Sequence, residues 1–140
     1  MSLVPRIYRQ AFIFCRFQNF RFLLQDVSDQ FLAAKGYFDE AKKGEIELVV
    51  TSVIFFEVIY VLRHDYGLPK VEIIRLMGSL LSMPFLKFEE EDSLKATLVM
   101  WANKNLDLVD CYLSVKAEEQ DAEVLTFDER LSRHKKQARG

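Results

Sequence analysis

Short apolar runs alternate along this chain with longer segments whose apolar positions recur at helical spacing. QAFIFC, residues 10–15, reads as a buried strand. Ser28 then offers an N-cap for a helix that carries Phe31, Leu32, Tyr37, Phe38 and Ala41 at helical intervals and stops at Gly44. IELVV, residues 46–50, predicts a second strand. Thr51 and Ser52 cap a strongly apolar helix over residues 53–62, which ends near Gly67. Pro69 opens a further helix that Pro84 closes, and FLKF, residues 85–88, predicts a third strand. The next helix has acids in its first turn and Lys104 near its end, as the helix dipole prefers. A helix beginning near Asp110, a strand over residues 123–127 and a short helix running into a basic tail complete the order. Strands alternating with helices imply an α/β fold, with a central parallel sheet covered on both faces.

The 140 residues, 50% of them apolar, suit one domain spanning residues 1–140 with a sizeable core. No linker, repeat or low-complexity segment divides it. The net charge of −2 hides an asymmetry. Arg6, Arg9, Arg16 and Arg21 precede Asp26 with no acid among them, which makes residues 1–20 an atypical N-terminus. The remaining 15 bases face all 21 acids, a balance of −6 that argues against a general nucleic-acid binder. Residues 134–140 form a basic tail; with Arg130 and Arg133 before it, the end of the chain reads as a solvated segment that could also touch RNA phosphates. Two cysteines, Cys15 and Cys111, make neither a disulfide framework nor a metal motif, so a cytoplasmic setting is expected. No apolar run reaches membrane-spanning length, because Arg16 and Arg21 interrupt the nearest candidate.

Chemistry enters with the acids. Glu57 is the only charge between Thr51 and Leu62, and an ionised carboxylate on such a helix must be paired, protonated, solvated or bound to a cation. Asp110 stands at the start of a helix and Asp128 just past a strand, where parallel sheets place their sites. Helix capping is the plain alternative for such aspartates. Clustered carboxylates repel, and a hard divalent cation relieves that repulsion. Mg²⁺ or Mn²⁺ with oxygen ligands favours phosphodiester hydrolysis over acyl transfer. No Ser-His-Asp or Cys-His arrangement and no Gly-rich phosphate loop is present. His64, two turns beyond Glu57, reads as an ordinary polar residue near a helix end, and Cys111 as a small core residue.

LVVTSVIFFEVIYVL with Glu57, and LDLVDCYLSVKAEEQDAEVLTFDERL with Asp110 and Asp128, resemble the PIN domain in order and spacing over about residues 21–133. This family includes the toxin halves of VapBC-type toxin–antitoxin pairs. The resemblance implies a three-layer α/β/α sandwich and a metal-dependent ribonuclease. Glu57, Asp110 and Asp128 would be catalytic and would hold Mg²⁺ or Mn²⁺, and Thr126 and Ser52 could hydrogen-bond water at that site. It also implies an RNA substrate, a cognate antitoxin and a homodimer, the last consistent with the apolar excess of residues 53–62 and 71–81.

The chain departs from the family pattern at the end of the first strand. The turn that should carry an aspartate falls on Cys15-Arg16-Phe17, and a soft thiolate is a poor ligand for a hard cation. Three accounts stand side by side. The N-terminus is altered upstream of intact family sequence, or the chain is a catalytically weak PIN scaffold that binds an antitoxin or RNA, or another residue such as Asp26 completes the site. A receiver-like phosphoacceptor would need an acidic pair after the first strand and a lysine after the last, and has neither.

Overall fold

The computed structural model describes residues 9–12 and 29–125, with side chains from residue 36 onward. By its internal contacts the chain divides into two units, Met1–Glu89 and Glu90–Gly140.

The first unit is built on a three-stranded parallel sheet in the order β1 (Arg9–Phe12), β2 (Ile46–Val50) and β3 (Leu86–Phe88). β1 runs beside β2 from Arg9 opposite Ile46 to Phe12 opposite Val49, and β2 beside β3 from Leu48 opposite Leu86 to Val50 opposite Phe88. Parallel neighbours need crossovers, and helices supply them. α1 (Asp29–Lys42) lies between β1 and β2, and α2 (Ser52–His64) with α3 (Lys70–Leu81) between β2 and β3. Ile46, Leu48 and Val50 alternate onto one face and are all buried, as are Leu86 and Phe88. Phe55 of α2 meets Phe88 edge to face at 6.5 Å, and Phe38 of α1 meets Phe85 in the same way at 5.9 Å. On the other face Lys87 pairs with Glu47 at 3.3 Å across β2 and β3.

α2 starts where the sequence predicts. Thr51 is its N-cap, with its hydroxyl oxygen accepting from Ile54 N at 3.3 Å. Its buried face is Ile54, Phe55, Val58, Ile59 and Leu62, and α3 buries Ile73, Met77, Leu80 and Leu81. The apolar excess of these two helices is therefore largely absorbed within the unit. Val53, Tyr60 and Val71 remain outside, each at least 60% exposed.

The second unit holds α4 (Glu91–Asn103) packed against α5 (Leu108–Glu119). α4 buries Leu94, Leu98 and Trp101, and α5 buries Leu108, Cys111 and Val115. Cys111 is thus the small core residue that its neighbours suggested.

The strand expected over residues 123–127 is not formed by Glu123, Val124 or Leu125; residues 126 and 127 lie outside the described part of the chain. α5 closes instead in a paired turn, with Asp121 N donating to Glu118 O at 3.3 Å and Ala122 N to Ala117 O at 2.8 Å. The chain leaves that turn exposed, and Leu125 is 94% accessible. A short apolar stretch is ambiguous by pattern alone, and here the closing turn of the helix reaches as far as Ala122. What the described residues show is a mixed α/β architecture around a small parallel sheet. Among them no helix is long and apolar enough to cross a membrane.

α1 ends in the same paired turn, through Gly44 N to Ala41 O and Glu45 N to Glu40 O, both at 3.0 Å. The left-handed position is Gly44 there (φ 77°) and Asp121 in α5 (φ 51°). A Cβ is disfavoured in that region, less so for Asp than for most residues. Asp121→Gly is therefore expected to raise stability by about 0.5–1 kcal/mol. Denaturant unfolding checks it, and a loss of stability would mean that the Asp121 side chain contributes more than its backbone costs.

Candidate metal centre

The carboxyl ends of three parallel strands lie along one edge of the sheet. At β2 this edge leads through Thr51 into α2, and at β3 into Glu89, whose N–H donates to Val50 O at 2.9 Å. Ser52 is the first residue of α2, and its hydroxyl donates to Glu89 O at 3.5 Å. Ser52 therefore does not cap the helix, since Thr51 does; it ties the start of α2 to the end of β3.

Glu57 lies a turn and a half into α2 on an exposed stripe with Val53, Tyr60 and His64. Among the ways of tolerating a charge on an apolar helix, this one is solvation: Glu57 is exposed, with no hydrogen bond or ion pair among the described residues. His64 shares the stripe as the last residue of α2, its ring 4.2 Å from that of Tyr60.

Asp110 is the third residue of α5 and half-buried, whereas the N-cap is Asp107, which makes no side-chain capping bond. Capping in the strict sense does not explain Asp110. A favourable interaction with the helix dipole would, and it is worth about 0.3–1 kcal/mol. Glu57 belongs to the first unit and Asp110 to the second. Asp128, Thr126 and Cys15 lie outside the described residues, as do Asp26 and the basic tail. Among the described residues no three His, Cys, Asp or Glu side chains come together as a metal site. The donor type nevertheless suits a hard divalent cation, because Glu57 and Asp110 both offer carboxylate oxygens and Glu57 is uncommitted.

α5 carries three stripes. Leu108, Cys111 and Val115 form the buried one. Beside it, one turn apart, stand Asp110 and Ser114. On its other flank Tyr112, Lys116 and Glu119 reach the start of α4. The Tyr112 hydroxyl donates to Glu90 at 2.8 Å, Lys116 contacts Glu90 at 2.7 Å and Glu119 at 3.3 Å, and the Ser93 hydroxyl donates to Glu119 at 2.7 Å. The Ser93 hydrogen bond, with help from Lys116, holds the Glu119 carboxyl below its ordinary range. The hydrogen bond from Lys116 to Glu90 pushes the ammonium up, against a smaller desolvation effect, and burial with the Glu90 hydrogen bond pushes the Tyr112 phenol up. Glu90 takes part with a left-handed backbone (φ 57°), a conformation uncommon without glycine. This network fixes the rotation of α5 against α4, and so the direction in which the Asp110 stripe faces within the unit.

Sequence reasoning singled out neither the network nor Ser114. Glu90 and Tyr112 are 22 residues apart, and only the Lys116–Glu119 spacing of three residues was visible along the chain. A scan against protein families matches residues 22–137 to the PIN domain, a span that includes both units' helices and the positions of Glu57, Asp110 and Asp128. Searches of curated proteins and of solved structures returned no significant match. A match over most of the chain shows that this chain belongs to the PIN domain family.

Proposed function

We propose that the chain is a divalent-cation-dependent endoribonuclease of PIN type, acting in the cytoplasm as the toxin of a toxin–antitoxin pair on a three-layer α/β/α scaffold. The observation that carries this reading is the family match over residues 22–137, which takes in Glu57, Asp110 and Asp128. PIN domains are in general nucleases, and they typically use divalent metals. Glu57, Asp110 and Asp128 would hold Mg²⁺ or Mn²⁺, and Ser52 and Thr126 would support them through water. The cation would lower the pKa of water and neutralise charge developing on phosphorus. The chain's own share is to aim its carboxylates: α2 presents Glu57 without a competing partner, and the Glu90–Lys116–Glu119 network orients α5 behind Asp110. A homodimer and an antitoxin contact are supported by the apolar side chains left exposed on α2 and α3, namely Val53, Tyr60 and Val71.

One observation favours a second reading, a catalytically weak module that binds an antitoxin or RNA. The family match begins at residue 22, after the Cys15-Arg16-Phe17 turn to which the resemblance assigns the family's first acid. The deciding experiment is Mn²⁺-dependent cleavage of structured RNA by the chain and by its Cys15→Asp variant. Cleavage by the chain as it stands means that the site is complete without the first aspartate. Cleavage by the variant alone, at least about tenfold above the parent, means a nuclease disabled at one ligand. No cleavage by either leaves the binding module.

A further inference from the structure

Ser114 carries the buried side-chain polar atom that, among the described residues, has no hydrogen-bond partner. A buried hydroxyl without a partner loses its hydration with no return, so native proteins seldom keep one without reason. The usual refuge of a helical hydroxyl is the carbonyl four residues earlier, and this chain uses it repeatedly. Ser79 donates to Arg75 O at 3.0 Å, Ser82 to Gly78 O at 2.9 Å and Thr97 to Ser93 O at 2.7 Å. Ser93 reaches Glu119, Ser52 reaches Glu89 O, and Thr51 caps α2. Ser114 stands apart from all of them.

Its place in α5 says what kind of partner is missing. Ser114 is one turn beyond Asp110 on the same stripe, and helical side chains lean toward the helix N-terminus, which here means toward Asp110. The residue is half-buried and its hydroxyl oxygen is shielded from solvent in the protein alone. A hydroxyl in that position can donate to an oxygen held beside the Asp110 carboxylate while its own oxygen stays free.

We propose that Ser114 is a positioning residue of the Asp110 site, donating a hydrogen bond to an oxygen, of ordered water or of a phosphodiester, held beside that carboxylate. This rests on the reading of Asp110 as a cation ligand. It gives a reason for a polar side chain at a position where alanine would cost the folded protein nothing.

The test compares the full chain with Ser114→Ala, Ser114→Thr and Asp110→Asn. Mn²⁺ affinity is measured by electron paramagnetic resonance without nucleic acid, then affinity for a phosphorothioate dinucleotide at saturating Mn²⁺. Thermal unfolding without metal is the structural readout. If the missing oxygen is water, Ser114→Ala weakens Mn²⁺ binding about tenfold, and if it is phosphate, only dinucleotide binding weakens by that factor. In either case Ser114→Thr retains most of the affinity, and the metal-free unfolding temperature of Ser114→Ala is unchanged or higher, because an orphaned hydroxyl has been removed. Unchanged affinities for both ligands in Ser114→Ala, with the parent binding Mn²⁺ and Asp110→Asn not, overturn the role of Ser114 and leave the metal site standing. A parent chain that does not bind Mn²⁺ overturns both.

Discussion

Asp110→Asn is expected to lower Mn²⁺-dependent RNA cleavage by about 100-fold or more, and to do so without unfolding the protein. The substitution removes one negative charge and a hard oxygen ligand while keeping the side chain's size. Its value lies in separating two explanations of the same residue. If Asp110 serves only the helix dipole, Asn costs about 0.3–1 kcal/mol of stability and leaves any cleavage nearly intact. If Asp110 shares a site with Glu57 and Asp128, the neutral side chain relieves repulsion between carboxylates, so the metal-free protein holds its stability or gains some. Stabilisation by added Mn²⁺, which follows the ratio of free cation to its dissociation constant, then disappears. Glu57→Gln should behave in the same way. Glu57 is exposed and has no partner among the described residues, so a structural role predicts no change in stability or in activity. Loss of metal-induced stabilisation in both variants would tie together two residues that lie in different units of the chain. Full cleavage by Asp110→Asn would remove it from the site.

Much of this was legible because helix starts leave local marks. Thr51 caps α2 as its residue type predicts, Pro69 stands immediately before α3, and Lys104 closes α4. β2 spans residues 46–50 as its apolar residues suggest, and Glu47, the one charge among them, lies on the face opposite Ile46, Leu48 and Val50 and pairs with Lys87. Glu57 was conspicuous as one charge in an apolar helix, and the structure resolves the tension by turning it to solvent. Four features were not legible, each for a physical reason. The end of α5 is set by a left-handed Asp121, where a glycine would have announced the turn. The short stretch after it therefore reads like the start of a strand, although Glu123–Leu125 do not adopt strand conformation. Glu90 adopts its unusual backbone while bound to side chains that are distant in sequence. Ser114 is visible only through what it does not do, and that requires the positions of every neighbour.

The sheet and its helices hold α2 in place, and that hold has a measurable centre. Phe55→Ala is expected to destabilise the protein by about 3–5 kcal/mol, a large part of the roughly 5–15 kcal/mol that holds a domain folded. Phe55 is wholly buried on α2, edge to face with Phe56 at 5.5 Å and with Phe88 of β3 at 6.5 Å. Truncation removes apolar contact, leaves a cavity in a close-packed interior and loses two aromatic pairs. It also loosens α2 against the strand end beside which Ser52 and Glu89 meet. Urea unfolding gives the stability change, and Phe55→Leu, which retains most of the volume, should cost less than half as much. Because Glu57 rides on the same helix only two residues away, Phe55→Ala should weaken Mn²⁺ binding at temperatures well below its own unfolding transition, whereas Phe55→Leu should not. A cation affinity that stays constant while stability falls would mean that Glu57 binds without needing α2 to be held in place, and that its exposure alone fits it for the task.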